Sequence, residues 1–261
     1  MLNFCSLYSG STGNSLFVEN ENTRLLIDAG VSGKKIVDGL NTINSSINCI
    51  DGILITHEHS DHILSIGTLS KKYNIPVYAS KKTWTKLSTQ KEKILKENQK
   101  IFNIDEKFEI NDLTILPFSI PHDAIEPCGF NIYNKNSKIS IATDLGHITS
   151  KIYNHLEGSS FTFLESNYEP DLLKYSSYPY ILKQRISGDI GHLSNMDAAK
   201  IVTKLIPNGL KNLFLGHLSK ENNFPELVSK IMSNTLLENS LSLDSLTVAS
   251  RAKPSEVFKM G

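Results

Sequence analysis

The segment 56–62 constrains this chain more than any other feature of its sequence, because it places three histidines and one aspartate within six positions. The three residues before it, 53–55, are apolar and mostly β-branched, which is typical of a buried strand. Behind it, residues 63–73 carry apolar side chains at helical spacing. The histidines are therefore predicted to lie in a turn at the carboxyl end of a strand, where α/β folds build their functional sites.

The residue types in this turn are those of a metal site. His57 and His59 are two positions apart, so both imidazoles can reach one ion, whereas Asp61 and His62 open the following helix and can serve a second ion. Imidazole and carboxylate together suit zinc, iron or manganese. The alternative is an exposed turn that is merely rich in histidine. The coincidence of ligand spacing, ligand types and a strand end argues against it.

Short apolar runs recur along the chain, and six of them end at or near a polar residue with ligand chemistry. If these strands deliver their terminal residues to one edge, the whole chain assembles a single site. The pattern therefore predicts a mixed α/β fold in one domain over residues 1–261 rather than two independent domains. The terminal residues are Asp28, His57, His122, Asp144, Glu165 and His217.

Helices are predicted between the strands. Ser32 is expected to cap one helix, the segment 194–197 resembles a capping box for another, and Pro225 begins a third. The charged stretch 85–98 predicts a surface helix with a weak apolar stripe. The segment 168–185 is the least regular part and is rich in tyrosine, so we expect a loop over the site or a subunit contact there.

Composition restricts the partners and the location. The 261 residues include 27 basic and 27 acidic side chains, so nucleic acid could be bound only through a local patch and not by bulk charge. No apolar run approaches the roughly 18 residues of a membrane span. With no apparent secretion signal, we expect a cytoplasmic protein without membrane contact. Three separated cysteines indicate buried thiols rather than disulfides.

Several basic residues are candidates for a local patch, although most are expected to be ordinary solvated side chains. They are Lys34, Lys35, Lys71, Lys72, Lys81, Lys82, Lys86, Lys183 and Arg185.

Three later residues complete an ordered pattern. After the HxHxDH turn come His122, Asp144 and His217, each just beyond a predicted strand. This order resembles that of the metallo-β-lactamase-fold hydrolases over essentially the whole chain. The resemblance implies a four-layer αββα sandwich with two divalent metal ions at its edge, and Asp28 supporting the site from behind. His57, His59 and His122 would hold the first ion, Asp61, His62 and His217 the second, and Asp144 would bridge both.

Finer motifs narrow the family. They lie at residues 9–15, 191–195, 216–223 and 251–255. Together they resemble the bacterial YycJ/WalJ group, described as DNA exonucleases of the 5′-to-3′ type. Relatives with the same metal set include ribonuclease Z and the β-CASP nucleases. The resemblance implies a two-metal phosphodiesterase that acts on nucleic acid, with DNA as the expected substrate.

The implied chemistry assigns roles to two residues. Two cations about 3.5–4 Å apart can clamp a phosphate and lower the pKa of a water between them towards ~7, so that hydroxide attacks phosphorus. Asp61 would orient or deprotonate that water. His192, just before the helix capped by Ser194, would protonate the leaving oxygen near a helix amino terminus, which favours anions. The alternative for His192 is a structural histidine at the start of a helix.

Weaker candidates for substrate contacts are Ser11, Asn14, Ser194, Lys220 and Asn222. The glycine-rich segment 9–15 could instead be only a tight hairpin, or could buttress the metal loop. Lys220 and Asn222 could equally cap the helix at Pro225.

Two other functions stay open. The same fold and metals could hydrolyse a cyclic phosphodiester, a thioester or a lactone, and the zero net charge mildly favours such a small substrate. A non-enzymatic binding protein would have lost ligands, whereas none of the expected ligands is missing. Homo-oligomerisation and the choice among zinc, manganese and iron also stay open.

Overall fold

The computed structural model describes residues 1–135 and 137–260. The chain folds into two compact units. The first unit contains Met1–Ser119, Ala124–Ser137 and Ser250–Gly261, and the second contains Ile120–Asp123 and Lys138–Ala249. The expectation of one domain over residues 1–261 stays a prediction.

Strands and helices are mixed along the chain, as the sequence predicts. The strands are β1 (Asn3–Tyr8), β2 (Ser15–Glu19), β3 (Arg24–Ile27), β4 (Gly52–Leu54), β5 (Val77–Ser80), β6 (Gln99–Phe102), β7 (Phe108–Ile110), β8 (Leu113–Ser119), β9 (Cys128–Asn134), β10 (Ser137–Ala142), β11 (Phe161–Glu165), β12 (Asn212–Gly216), β13 (Ser245–Val248) and β14 (Phe258–Lys259). The α-helices are α1 (Gly33–Thr42), α2 (Ser60–Ile63), α3 (Ile66–Tyr73), α4 (Lys81–Lys86), α5 (Ser88–Lys91), α6 (Ser150–Leu156), α7 (Pro170–Tyr175), α8 (Tyr180–Ser187), α9 (Asn195–Leu205) and α10 (Pro225–Glu238).

The main sheet of the first unit combines antiparallel and parallel pairing. Its order is β14-β1-β2-β3-β4-β5-β6, antiparallel from β14 to β3 and parallel from β3 to β6. Phe17 lies opposite Leu26, and Leu26 opposite Ile53, so three buried apolar side chains line up across the sheet. Strands β7, β8 and β9 pair antiparallel in the same unit. The parallel strands bring the ends of β3 and β4, with Asp28 and the histidine turn, side by side.

The second unit is built on the parallel strands β10-β11-β12-β13. Their carboxyl ends share one edge, so residues just after these strands become neighbours. Helix α9 begins after Ser194, whose hydroxyl accepts the backbone amide of Asp197, and this confirms the serine N-cap of the predicted capping box. Its buried face carries Ile201 and Val202, and the helix packs against α10.

Two of the predicted local structures are wrong. The segment 85–98 is not one helix, because α4, α5 and a 3₁₀ turn at Lys96–Asn98 lie there. The side-chain amide of Gln99 donates to the Ile94 carbonyl at 2.8 Å. This bond replaces the backbone hydrogen bond that the carbonyl would accept in a continuous helix. The segment 168–185 is not a loop, since it contains α7 and α8, whereas the alternative of a subunit contact there stays a prediction.

Among the cysteines, Cys5 and Cys128 are buried as expected, whereas Cys49 is exposed. Within the described residues, no helix combines the length and the apolar character needed to cross a membrane.

Candidate metal centre

The histidine-rich turn of the first unit follows β4 and opens α2, as the sequence predicts. His57 and His62 are completely buried. The centroid of the His57 ring lies 4.2 Å from that of His62 and 4.6 Å from that of His59. Asp61 Oδ2 lies 3.4 Å from His62 Nε2. The turn therefore presents a compact group of imidazole and carboxylate donors.

Asp28 fixes the orientation of two of these rings. Its Oδ2 lies 2.7 Å from His62 Nδ1 and accepts the Thr56 hydroxyl at 2.8 Å, while its Oδ1 accepts the Thr56 amide at 2.9 Å. The Thr56 hydroxyl has one proton, which it donates to Asp28. His57 Nδ1 lies 2.9 Å from the same hydroxyl oxygen and must therefore be the donor in that contact. Both rings therefore carry a proton on Nδ1 and a lone pair on Nε2, which is the arrangement of ligating histidines.

Asp28 itself is deeply buried. Burial raises the pKa of this carboxyl, and the interactions with His62 and Thr56 offset only part of the rise. A buried carboxylate that accepts three hydrogen bonds supports its neighbours and does not face solvent.

The glycine-rich segment 9–15 packs against the same turn. Asn14 Nδ2 lies 3.2 Å from His62 Nε2 and 3.5 Å from Asp61 Oδ2, while its Oδ1 accepts the Gly10 amide at 2.9 Å. Gly30 permits the close approach, because a Cβ on Gly30 would lie 1.5 Å from the Asp61 carbonyl oxygen. The segment is thus both a hairpin between β1 and β2 and a support for the metal loop. Ser11 lies at its exposed tip.

In the second unit, His192, His217 and Asp144 gather around Glu165, and His122 lies beside Asp144. Glu165 Oε1 lies 2.7 Å from His192 Nδ1 and 2.9 Å from His217 Nδ1. Asp144 Oδ1 lies 3.3 Å from His217 Nδ1 and 3.8 Å from His122 Nε2. Asp144, Glu165, His192 and His217 each place one possible ligand atom within 4.8 Å of the others. Three residues expected at the site, His122, Asp144 and His217, are therefore neighbours in this unit, together with His192.

The central role of Glu165 was not predicted from the sequence, which indicated only that a strand ends there. Its second oxygen accepts the backbone amides of Leu145 and Leu193 at 2.9 and 3.2 Å. Burial alone would raise the pKa of Glu165, but His192 and His217 outweigh burial and lower it. The strand-end pattern was the signal that could have found this residue, since the other strand-end residues in that pattern were assigned to the site.

His122 and His192 have opposite electrostatic environments. Burial lowers the pKa of His122, whose Nδ1 donates to the Gly191 carbonyl at 3.1 Å. Burial would also lower the pKa of His192, but the Glu165 carboxylate outweighs it and raises that pKa. His122 is therefore held neutral, as a metal ligand must be. The protonated form of His192 is therefore favoured, and this form can donate a proton.

The remaining candidates differ in accessibility. Ser194 is buried, and its hydroxyl donates to the Asp197 carboxylate at 2.7 Å while it caps α9. Lys220 is exposed. Asn222 is completely buried, with its amide nitrogen 3.3 Å from Ser219 Oγ. A direct substrate contact by Asn222 would require this loop to open, so we correct that expectation.

The donor set fits divalent metal ions. Four buried imidazoles have Nδ1 held by an oxygen atom, which leaves the Nε2 lone pair as the ligating group. Imidazoles combined with carboxylates suit zinc, manganese or iron, whereas magnesium and calcium prefer oxygen ligands alone. The four are His57, His62, His122 and His217.

Comparison with known proteins identifies the family. Residues 23–217 match the model of the beta-lactamase superfamily domain. The chain is 38% identical over 237 residues to the exodeoxyribonuclease YycJ of Bacillus anthracis, covering 91% of this chain and 90% of that protein. It is 39% identical to the exodeoxyribonuclease WalJ of Streptococcus pneumoniae, covering 90% and 88%.

A solved structure shows the same fold. The metallo-beta-lactamase fold protein YhfI from Bacillus subtilis superposes with a TM-score of 0.74 at 16% identity, covering 98% of this chain and 100% of that one. The expected metallo-β-lactamase fold is thereby confirmed. With its histidine turn and strand-end ligands, the chain belongs to the metallo-β-lactamase superfamily and, within it, to the YycJ/WalJ group.

Proposed function

We propose that this chain is a metal-dependent exodeoxyribonuclease that degrades DNA in the 5′-to-3′ direction. The observation that carries the proposal is the group of buried imidazoles whose Nδ1 atoms are held for metal ligation. It occurs in a chain that is 38% and 39% identical to two exodeoxyribonucleases.

Seven residues are proposed as ligands of two divalent ions, following the order typical of the family. His57, His59 and His122 are assigned to the first ion, Asp61, His62 and His217 to the second, and Asp144 to both. When bound, such ions supply a hydroxide nucleophile near neutral pH and offset the negative charge of the phosphate.

Asp61 is proposed to orient the attacking water. Its carboxylate is partly exposed, so it can reach a water molecule, and it lies beside the Asn14 amide and the His62 ring. These two neighbours restrict its rotation, which supports a role in positioning.

His192 is proposed to protonate the leaving oxygen. Its ring is partly exposed, and its Nδ1 is held 2.7 Å from Glu165 Oε1. In the cationic form, the second proton is therefore on Nε2, where it can be donated to the oxygen that departs from phosphorus.

The test is cleavage of end-labelled single-stranded and duplex DNA by protein stripped of metal and refilled with manganese or zinc. Early release of a 5′ label as mononucleotide supports the proposed polarity. Asp61→Ala and His192→Ala are expected to lower cleavage by about 100-fold or more. Asp38→Ala, at an exposed position of α1, is the control and should cleave normally.

A second substrate separates the two roles. The p-nitrophenolate group of bis(p-nitrophenyl) phosphate departs without needing a proton. His192→Ala should therefore hydrolyse this ester far better, relative to wild type, than it cleaves DNA, whereas Asp61→Ala should lose both activities. Absence of DNA cleavage with either metal would refute the nuclease and direct the search to cyclic phosphodiesters, thioesters and lactones.

A further inference from the structure

Positive charge is concentrated in one segment of the first unit, residues 81–100. This lysine-rich segment contains seven lysines and two glutamates, in a chain whose net charge is zero. It comprises α4, α5, the 3₁₀ turn at Lys96–Asn98 and the first residues of β6. Such a local excess can attract an anionic partner to a protein that lacks bulk positive charge.

The backbone of the lysine-rich segment is fixed by packing, whereas its lysine side chains are exposed. Trp84, Leu87 and Ile94 are buried in the hydrophobic core of the first unit, and the Trp84 indole donates to the Lys100 carbonyl at 2.8 Å. The exposed side chains are those of Lys81, Lys82, Lys86, Lys91, Lys93, Lys96 and Lys100. The backbone that carries these charges is therefore already ordered and does not have to fold when a partner binds.

Most of these charges have no acidic partner. Lys82 Nζ lies 2.9 Å from Glu126 Oε1, and among the described residues it is the only lysine of the segment that pairs with a carboxylate. Lys91 Nζ lies 5.9 Å from the centre of the Trp84 ring, a cation–π contact that leaves its charge in place. Neighbouring like charges repel one another and destabilise the folded chain, and a bound polyanion offsets that repulsion.

The lysine-rich segment starts beside the histidine turn. Strands β4 and β5 are parallel, with Leu54 opposite Tyr78, so the turn after β4 and helix α4 after β5 lie at the same edge of the sheet. Gln90 of α5 binds the chain just beyond the turn, because its side-chain nitrogen donates to the Leu64 carbonyl and its oxygen accepts the Gly67 amide, both at 3.2 Å. The segment is therefore bonded to the part of the first unit that carries proposed metal ligands.

Two further contacts join the segment to this turn. A Cβ on Gly67 would lie 3.0 Å from Lys93 Cβ, so a glycine allows Lys93 to pack close to the start of α3. Glu58 of the turn accepts the Ile125 amide at 2.9 Å, and the next residue, Glu126, pairs with Lys82. A polyanion bound at the turn therefore has lysines beside it.

We propose that the lysine-rich segment binds the phosphate backbone of DNA next to the histidine turn. The inference rests on the proposed nuclease function and assigns the surface that holds the substrate between cleavage steps. Ammonium groups bind phosphates by charge and by counterion release, without reading the base sequence, as an exonuclease that shortens any strand requires. Lys81, Lys86 and Lys93 are assigned the main contacts, because they are exposed and lie on the part of the segment that is bonded to the turn.

Binding is measured by fluorescence anisotropy with the metal-loaded protein and a labelled DNA duplex whose phosphorothioate linkages resist hydrolysis, at a series of KCl concentrations. The triple variant Lys81→Gln/Lys86→Gln/Lys93→Gln should bind about tenfold more weakly, or weaker still, at about 0.1 M salt. The plot of log affinity against log salt concentration should also become less steep by about 2–3, because each lost phosphate contact removes about 0.9 from its slope.

A second triple variant has the same net charge but alters exposed lysines of the second unit, on α9, on α10 and just before β12. Lys204→Gln/Lys211→Gln/Lys230→Gln should bind the duplex and respond to salt like the wild type. Equal weakening in both triple variants would show that affinity follows net charge alone, and this would overturn the assigned surface.

Activity separates the surface from the proposed metal centre. In the first triple variant, hydrolysis of bis(p-nitrophenyl) phosphate should be unchanged, because this small ester needs no contact with the lysines, whereas the KM for DNA should rise with kcat retained. Loss of the ester hydrolysis would mean that the substitutions disturb the metal centre, and would overturn a role in binding alone.

Failure of the surface and failure of the nuclease give different results. A first triple variant that binds the duplex like wild type would overturn the surface even if the wild type cleaves DNA. Weakened binding with the expected change of slope, in a protein that cleaves no DNA, would support the surface and refute the nuclease.

An anionic membrane is the competing partner for a lysine-rich surface. Sedimentation of the protein with vesicles of phosphatidylcholine and phosphatidylserine tests it. Vesicle binding that is lost in the first triple variant, with unaltered DNA affinity, would overturn the proposal and identify a lipid-binding surface. Lysine-dependent binding of DNA without binding of vesicles would support the proposal.

Discussion

At the scale of single residues, the backbone of the proposed site is held in a conformation that most residues avoid. Asp28, Asp144 and His217 have φ angles of 62°, 59° and 55°. For residues other than glycine, such angles cost on the order of 1–3 kcal/mol and persist only where surrounding contacts enforce them. One such contact is the hydrogen bond from the side-chain amide of Asn167 to the His217 carbonyl, at 2.7 Å. Each of these three residues lies just after a strand, where the positive φ turns the backbone out of the extended conformation.

Replacing Asp28 by asparagine should weaken metal binding. Asp28 accepts three hydrogen bonds from Thr56 and His62, and an asparagine would place its NH₂ group against one of these donors. With the His62 ring no longer held, affinity for Mn²⁺ should fall by about 10–100-fold. Calorimetric titration of metal-stripped protein measures this, with Asp38→Asn as the control. Equal affinity in Asp28→Asn and wild type would show that the carboxylate does not orient His62.

Replacing Glu165 by glutamine should impair both DNA cleavage and metal binding. Glu165 holds His192 and His217 through one oxygen, and the amides of Leu145 and Leu193 through the other. Glutamine cannot accept from all four donors. We expect DNA cleavage to fall by about 100-fold or more, together with weaker metal binding. Glu157→Gln, at an exposed carboxylate, should retain both. Full cleavage by Glu165→Gln would contradict the role of this residue.

The residues of the proposed site were only partly predictable from the sequence. His57 and Asp144 stand just beyond runs of apolar residues, and His62 belongs to the same histidine-rich turn as His57, so local patterns reveal all three. The role of Glu165 depends on His192 and His217, which are 27 and 52 positions away. The parallel alignment of β11 with β12 brings Glu165 to His217, and the Asn167 amide that donates to the Leu193 carbonyl brings His192 near. The strand-end pattern places Glu165 at the end of a strand but does not record these long-range contacts.

At the scale of elements, the β2–β3 and β7–β8 hairpins of the first unit are joined by hydrogen bonds to the carboxylate of Asp112. Asp112 accepts the Thr23 hydroxyl at 2.6 Å and the Asn22 amide at 2.9 Å, and these bonds lower its pKa to about 2 from the ordinary 3.8. A lowered folded-state pKa contributes stability above the unfolded value, and that stability is lost as pH falls through the folded value.

The stability of the wild type should therefore fall more steeply than that of Asp112→Asn as pH is lowered from about 4 to about 2. Urea unfolding at a series of pH values measures the two slopes. Asp38→Asn, at an exposed position of α1, serves as the control and should follow the wild type. Parallel curves for wild type and Asp112→Asn would show that Asp112 contributes nothing to acid sensitivity.

The start of α9 gives a second prediction for an element. Ser194 accepts the Asp197 amide at 3.1 Å, so Ser194→Ala should lower the free energy of unfolding by about 1 kcal/mol, whereas Ser194→Thr should keep the cap. Urea unfolding of the three proteins distinguishes them. Equal stability of Ser194→Ala and wild type would contradict the cap.

Elements with a clear apolar periodicity were predicted well, and those without it were not. Helix α9 buries Ile201, Val202 and Leu205 at regular spacing, which the sequence reveals directly. Helix α8 has no buried residue among those described, so it leaves no apolar pattern to detect. The break within 85–98 depends on the side chain of Gln99, which lies beyond the segment that was interpreted as a helix.

At the scale of the whole molecule, the proposed ligands lie between positions 57 and 217 of the chain. Only the folded chain can hold such distant residues in one ligand set, so metal binding should stabilise the native state by mass action. At 100 times its dissociation constant, one ion contributes about 2.7 kcal/mol. For a chain of this size, the melting temperature should then rise by roughly 5–10 °C.

Thermal unfolding of metal-stripped protein with and without added Mn²⁺ or Zn²⁺ tests this expectation. Mg²⁺ at the same concentration should give little shift, because it prefers oxygen ligands and the donor set is rich in imidazole. In His57→Ala and His217→Ala, the metal-dependent rise should shrink, since each variant removes one proposed ligand. An equal rise in those variants, or with Mg²⁺, would mean that the ions act elsewhere on the protein, and the ligand assignment would then be wrong.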